Sequence, residues 1–112
     1  MTHEHILIAL TNPTDGREEE FNDWYERTHV PECLRVPGFK SGRRYRLTAV
    51  QGEPPRQGYL ALYELEGDDP QELLDRLLST RDDRTQNGSI DLKTMSLWVY
   101  SALGQKHTAS ET

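Results

Sequence analysis

Apolar residues fall into six periodic stretches separated by polar turns. His5 to Leu10 is β-prone and apolar almost without a break, which predicts a strand buried on both faces. Asn12-Pro13-Thr14-Asp15-Gly16 reads as a turn. Asp15, three residues before Glu18, predicts a carboxylate cap, and Glu18 to Glu20 place negative charge on the first turn of a helix. Phe21, Trp24, Tyr25 and Thr28 then recur at helical spacing. Pro31 should break that helix, because its ring cannot donate and collides with the preceding turn. One more turn through Cys33 and Leu34 is expected before Val36-Pro37-Gly38 ends it.

Phe39 to Val50 predicts a second strand, with Arg43, Tyr45 and Leu47 on one face and Arg44 and Arg46 on the other. Gln51 to Gly58 is a connection, and Tyr59 to Leu65 is the third strand. Asp69, Pro70 and Glu72 suit N-cap, first position and N3 of a second helix, whose apolar stripe is Leu73, Leu74, Leu77 and Leu78. Ser79 to Lys93 reads as a long polar loop, Met95 to Leu103 as the last strand, and residues 105–112 as a polar tail after one domain over 1–104. The order βαββαβ predicts an α+β, ferredoxin-like fold, a four-stranded antiparallel sheet with two helices on one face.

Two helices cover only one face of such a sheet. Yet Leu60 and Leu62 alternate with Tyr59, Ala61, Tyr63 and Leu65, and Trp98 and Tyr100 alternate with Leu97 and Val99. An antiparallel sheet with one wet face should show polar residues at every second position. The simplest cover for the second face is another copy of the chain, so a sheet-to-sheet homodimer is expected.

The totals narrow the function classes. At 112 residues the chain makes one domain, and its net charge of −6 argues against nucleic-acid binding. The longest apolar run, Ile6 to Leu10, is too short to span a membrane, and the N-terminus lacks the pattern of a signal peptide. One cysteine, Cys33, allows no internal disulfide and fits a reducing, cytoplasmic setting. There is no phosphate loop, dinucleotide fingerprint or serine elbow.

The stretch from Phe21 to Phe39 stands apart, because it sets polar aromatics and a histidine beside its apolar positions. The run Asn22-Asp23-Trp24-Tyr25-x-x-x-His29-Val30-Pro31-Glu32, followed by Val36-Pro37-Gly38-Phe39, Arg43-Arg44-Tyr45 and Tyr59 to Leu65, resembles the dimeric α/β-barrel superfamily, EthD-like members above all. The likeness spans roughly residues 5 to 103. It implies the ferredoxin-like fold, the dimer, and a small-molecule pocket between sheet and helices. It implies no single reaction, since the superfamily holds cofactor-free monooxygenases, isomerases, cyclases, dehydratases and haem enzymes. It also makes the histidine of the Trp-Tyr-x-x-x-His-x-Pro motif the natural acid–base candidate.

His29 continues the helix face of Phe21 and Tyr25, and its imidazole can exchange a proton near neutral pH. The competing reading is a structural histidine bonded to a carbonyl freed near Pro31. Tyr25 is the candidate hydrogen-bond donor to a substrate oxygen, or else a core aromatic. Phe21, Trp24, Asn22, Arg44, Tyr45, Tyr63 and Trp98 are candidate substrate contacts, each with a plainer role in packing or surface charge. Arg43, Arg44 and Arg46 crowd one strand; they would bind a carboxylate or enolate if pocket-facing, or else guard a sheet edge or pair with Glu64. His29, Glu32 and Cys33 have helical metal-ligand spacing, and His3 and His5 share a strand face, but neither set offers a full zinc site. The expectation is therefore a homodimeric enzyme without metal or other cofactor, acting on an apolar, oxygen-bearing compound such as a polyketide-like aromatic or a lactone. The alternatives are a binding protein with the same pocket, and a haem-using member with His29 on iron.

Overall fold

The computed structural model describes residues 3–110. Four strands form one antiparallel sheet: β1 (Glu4–Thr11), β2 (Phe39–Arg46), β3 (Tyr59–Glu66) and β4 (Ser96–Ser101), in spatial order β2-β3-β1-β4. Two helical segments cross one face. The first comprises α1 (Glu18–Trp24), a π-helical turn (Tyr25–His29) and α2 (Val30–Cys33); the second is α3 (Pro70–Ser79). This is the ferredoxin-like βαββαβ arrangement. β1 lies at the centre, paired along its length with β3 and with β4.

Alternation decides which side chains meet the helices. His5, Leu7, Ala9 and Thr11 of β1 and Tyr59, Ala61, Tyr63 and Leu65 of β3 are buried under them, with Phe21, Tyr25, Leu73 and Leu77 packed from above. Burying each such leucine contributes about 1.5–3 kcal/mol. The intervening residues Ile6, Ile8, Leu10, Leu60 and Leu62 are half-buried on the opposite face. β1 is thus buried on one face rather than both, because no second layer of this chain lies beneath it.

The second helix starts as its residues dictate. Asp69 accepts from the amides of Gln71 (3.0 Å) and Glu72 (3.3 Å), and Pro70 occupies the first turn. The first helix does not. It begins at Glu18 with Arg17 at the cap position and no side-chain cap, so Asp15 is not the cap. Gly16 at φ 77 turns the chain between Asp15 and the helix, and Arg17 bonds Glu20 instead.

Pro31 does not end the helix either. The turn before it is widened to π spacing, with the Val30 amide reaching Tyr25 O, and α2 then carries Pro31 within its first turn. A proline deprives the previous turn of one hydrogen bond, and a π turn is one way to absorb that loss without a break. β2 stops at Arg46 rather than Val50, since its partner β3 begins opposite it at Tyr59 and only Leu47 N to Gly58 O (2.8 Å) extends the ladder. β4 likewise ends at Ser101, short of Leu103. The segment after α3 contains a 3₁₀ turn (Arg81–Asp83) and is tied to the start of the fold by Thr14 N to Ser89 O (2.6 Å) and Asp91 N to Asn12 O (2.9 Å). No helix among the described residues is long and apolar enough to cross a membrane.

Candidate functional site

Between the sheet and the helices lies a cavity of ≈ 90 Å³. Leu7, Ala9 and Tyr63 come from the sheet, Trp24, Tyr25, His29 and Cys33 from the first helical segment, and Leu77 from α3. Its mouth is formed by Leu78, Arg81, Arg84, Gln86, Leu92 and Met95. The wall is apolar, and its polar groups are phenols, a thiol, an imidazole and two guanidiniums.

The π turn explains how His29 is held. In a regular α-helix, residues five apart point in different directions. Here the widened turn stacks the His29 ring on Trp24, 4.7 Å between centroids and 29° between planes. The Tyr25 ring meets the imidazole edge-on at 4.8 Å. Cys33, one turn later, brings Sγ to 3.5 Å from His29 Nε2. His29 Nδ1 is buried with no hydrogen-bond partner, and the Tyr63 hydroxyl, beside the Tyr25 hydroxyl and the Cys33 thiol, makes no well-formed hydrogen bond. Tyr63 is only 2% exposed; its ring lies across β2 where Gly42 leaves room, a Cβ there falling 2.8 Å from the ring.

Every one of these groups is neutral near pH 7. Burial, aided by the Arg84 guanidinium and opposed by Glu32, pulls His29 down to about 4. Burial raises Tyr25, with the neighbouring Cys33 thiol pushing the same way. Burial likewise holds Tyr63 well above the ordinary tyrosine range and raises the Cys33 thiol. A neutral imidazole beside neutral hydroxyls can accept or share a proton; it offers no fixed charge.

The remaining sequence candidates are distributed as follows. Phe21 is sealed in the core, edge-on to Tyr25 at 5.4 Å and to Tyr59 at 5.2 Å, and does not reach the cavity. Asn22 bonds Tyr59 Oη (3.3 Å) and accepts from Arg44 Nη2 (2.6 Å). Arg44 lies over the rings of Tyr25, Phe21 and Tyr59, with a side chain 13% exposed, and lines an open groove between α1 and β2 rather than the cavity. Tyr45 and Trp98 stand on the opposite sheet face, Trp98 45% exposed. Glu64 accepts from Ser41 and not from an arginine. Trp24, Tyr25, His29 and Tyr63 are therefore the candidates that converge.

No family model matches the sequence, and no curated protein matches it. Solved structures do. An ethyl tert-butyl ether D (EthD) family protein of Bacillus halodurans superposes with a TM-score of 0.61 at 16% identity, over 89% of this chain and 99% of that one. HapK of Hahella chejuensis superposes with a TM-score of 0.55 at 13% identity, over 95% of this chain and 99% of that one. The chain has the EthD-like fold. At these identities the likeness is one of architecture alone.

Within that EthD-like fold the helical metal-ligand trio does not converge. Glu32 turns outward to accept from Thr85 N (2.7 Å) and Oγ1 (3.0 Å), bonds that hold its carboxyl below the usual range. No cluster of three or more metal-ligating side chains occurs among the described residues. Haem does not fit either. A macrocycle exceeds a ≈ 90 Å³ cavity, and Trp24 and Tyr25 crowd the face and edge of the ring that would ligate iron. Arg81, Arg84 and the apolar rim were missed by sequence reasoning, because a polar loop carries no periodicity. Two arginines three residues apart in an acidic chain were the signal available.

Proposed function

We propose that this cavity is the active site of a small-molecule enzyme that moves a proton next to a carbonyl or phenol without a cofactor. His29 takes or returns the proton, and the hydroxyls of Tyr25 and Tyr63 donate to the oxyanion that develops. The supporting observation is the pair of buried, unpartnered polar atoms, His29 Nδ1 and Tyr63 Oη, on two residues lining one apolar cavity. Buried polar groups are nearly always paired, and a hydrogen-bonding guest would pair these. A base held near 4 is weak but fully deprotonated at neutral pH. Negative charge arising on a substrate beside it raises its proton affinity as the transition state forms, which is when it is needed. Isomerisation, cyclisation, dehydration and cofactor-free oxygenation all begin with such a step.

A second reading, a binding protein with the same cavity, is favoured by that low basicity. Solvent exchange separates the two. Small carbonyl carbon acids, such as five-membered unsaturated lactones, are incubated with the protein in D₂O and followed by NMR. The enzyme reading expects deuterium at the carbon next to the carbonyl, lost in His29→Ala. Binding without exchange supports the second reading and sinks the first.

The working form proposed is a homodimer, sheet against sheet, in a cytoplasmic setting. Its support is the uncovered face of Ile6, Ile8, Leu10, Leu60 and Leu62 with Trp98 and Tyr100, the last 56% exposed. An apolar patch of this breadth on a lone chain marks an interface. Leu62→Asp should convert a dimer into monomers in analytical ultracentrifugation; a wild-type chain already monomeric at micromolar concentration contradicts the dimer.

A further inference from the structure

The mouth of the cavity is chemically unlike its interior. The 3₁₀ turn Arg81–Asp83 advances three residues per turn, which places residues 81 and 84 on one side, and both line the cavity. Arg84 is half-buried. Its Nη1 donates to Thr80 Oγ1 (3.0 Å) and its Nη2 to Leu77 O (2.7 Å). Both acceptors are neutral, so the guanidinium is positioned without being neutralised, and three of its five N–H donors remain. Neither Arg84 nor Arg81 forms an ion pair among the described residues; Arg35, Arg43, Arg46 and Arg56 form none either, but of these six only Arg81 and Arg84 line this cavity. In a chain of net charge −6, an uncompensated pair of guanidiniums at a cavity mouth has a specific use.

We propose that the ligand of this cavity is a small carboxylate, its anionic group on Arg84 and Arg81 at the mouth and its short apolar body inside. The inference rests on the cavity being the functional site, and it names the substrate class. Guanidinium groups match the planar fork of a carboxylate, and the approach is shielded by the apolar rim of Leu78, Leu92 and Met95. Size limits the body. An apolar cavity of about 150 Å³ takes one benzene ring. The ≈ 90 Å³ here suits a short unsaturated chain or a small lactone ring, and excludes a polycyclic aromatic unless the rim moves.

Binding also reaches the imidazole. Around His29 are Arg84 from the loop, Cys33 from α2, Tyr25 from the π turn and Tyr63 from β3; Glu32, its carboxylate turned to Thr85, acts on the ring from outside, and Arg81 lines the same cavity. Arg84 opposes a proton on His29; a carboxylate on Arg84 offsets that charge. The right substrate thus makes His29 a better base, and a neutral analogue does not.

Crotonate and crotonamide share one shape and differ in charge, so their affinities, read by NMR titration, test the assignment. Crotonate should bind about tenfold more tightly, shifting signals of residues 77–86 and raising the His29 titration midpoint. Arg84→Gln should abolish that preference. Arg81→Gln, whose parent side chain makes no hydrogen bond or ion pair among the described residues, should reduce it about threefold without touching the fold. Equal affinities, no crotonate binding, or a preference that survives in both variants overturns the proposal. Carboxylate preference without solvent exchange leaves it standing and removes only the catalytic reading; exchange without the preference does the reverse.

Discussion

Two histidines lie under the helices of this sheet, and they are held in opposite ways. His5, 4% exposed, has both nitrogens engaged: Nε2 donates to Gly67 O (2.8 Å), so Nδ1 accepts from the Ser101 hydroxyl (2.7 Å). His29 stacks on Trp24, meets only a thiol at 3.5 Å through Nε2, and leaves Nδ1 buried and unpaired beside a cavity. Burial alone does not distinguish a structural histidine from a chemical one. What distinguishes them is whether the protein has already supplied both partners. His5 joins the end of β1 to the end of β4 and to the residue after β3; its bonds are complete. His29 is incomplete without a guest.

Breaking that contrast most sharply is His29→Ala. It should leave the fold intact and cut solvent exchange into a small carbonyl substrate by about 10²–10⁴-fold, the usual worth of a general base. His5→Ala should leave the exchange rate per folded molecule unchanged. Exchange by both variants at the wild-type rate would show that neither histidine moves the proton.

The next effect is the pH dependence that His29 contributes. Its folded value of about 4 lies below the ordinary histidine value of 6.5, so the unfolded chain takes up the proton first. Stability contributed by the neutral ring is complete above pH 6.5 and is lost as pH falls from 6.5 towards 4. Because the cavity opens to solvent, the loss should be at most about 3 kcal/mol. Urea unfolding across that window should show the slope in the wild type and its absence in His29→Phe.

At the other site, His5→Ala orphans Gly67 O and the Ser101 hydroxyl, and should cost about 2 kcal/mol. A denaturation midpoint equal to the wild type's would mean those two bonds contribute nothing. Smallest is Gly42→Ala. Its Cβ would press on the Tyr63 ring at 2.8 Å and on Val30 Cγ1 at 3.1 Å. It should cost about 1 kcal/mol and weaken ligand binding at the cavity while leaving the His5 end unaffected. Chemical-shift changes reaching Ser101 would argue that the two ends are coupled.

How much of this was legible in the sequence follows from what periodicity reports. Periods of 2 and about 3.6 reveal which segments are strands and helices, and Asp69-Pro70 marks a helix start by local chemistry; the elements occur in the expected order, though β2 and β4 end short and the first helical segment runs on past Pro31. Asp15 failed as a cap because a glycine with positive φ redirects the chain after it, which spacing does not reveal. The π turn at Tyr25–His29 was invisible because helical periodicity assumes a constant rise; it is this turn that sets Trp24 against His29. Trp98 and Tyr45 were candidates because both faces of the strands are apolar, and alternation cannot say which face the helices choose. Arg84 lay in a loop whose path depends on its bonds to Leu77 and Thr80 at the end of α3 and on distant bonds to Asn12 and Thr14 after β1, none of which a periodic pattern reports.

The most direct test is ¹⁵N NMR of the two imidazoles in one sample, free and with crotonate added. His29 should titrate near 4 in the free protein and shift when crotonate binds, while crotonate should leave the His5 signals undisturbed. A His29 that titrates near the ordinary 6.5 and is unmoved by crotonate would contradict the assignment of this cavity as the functional site.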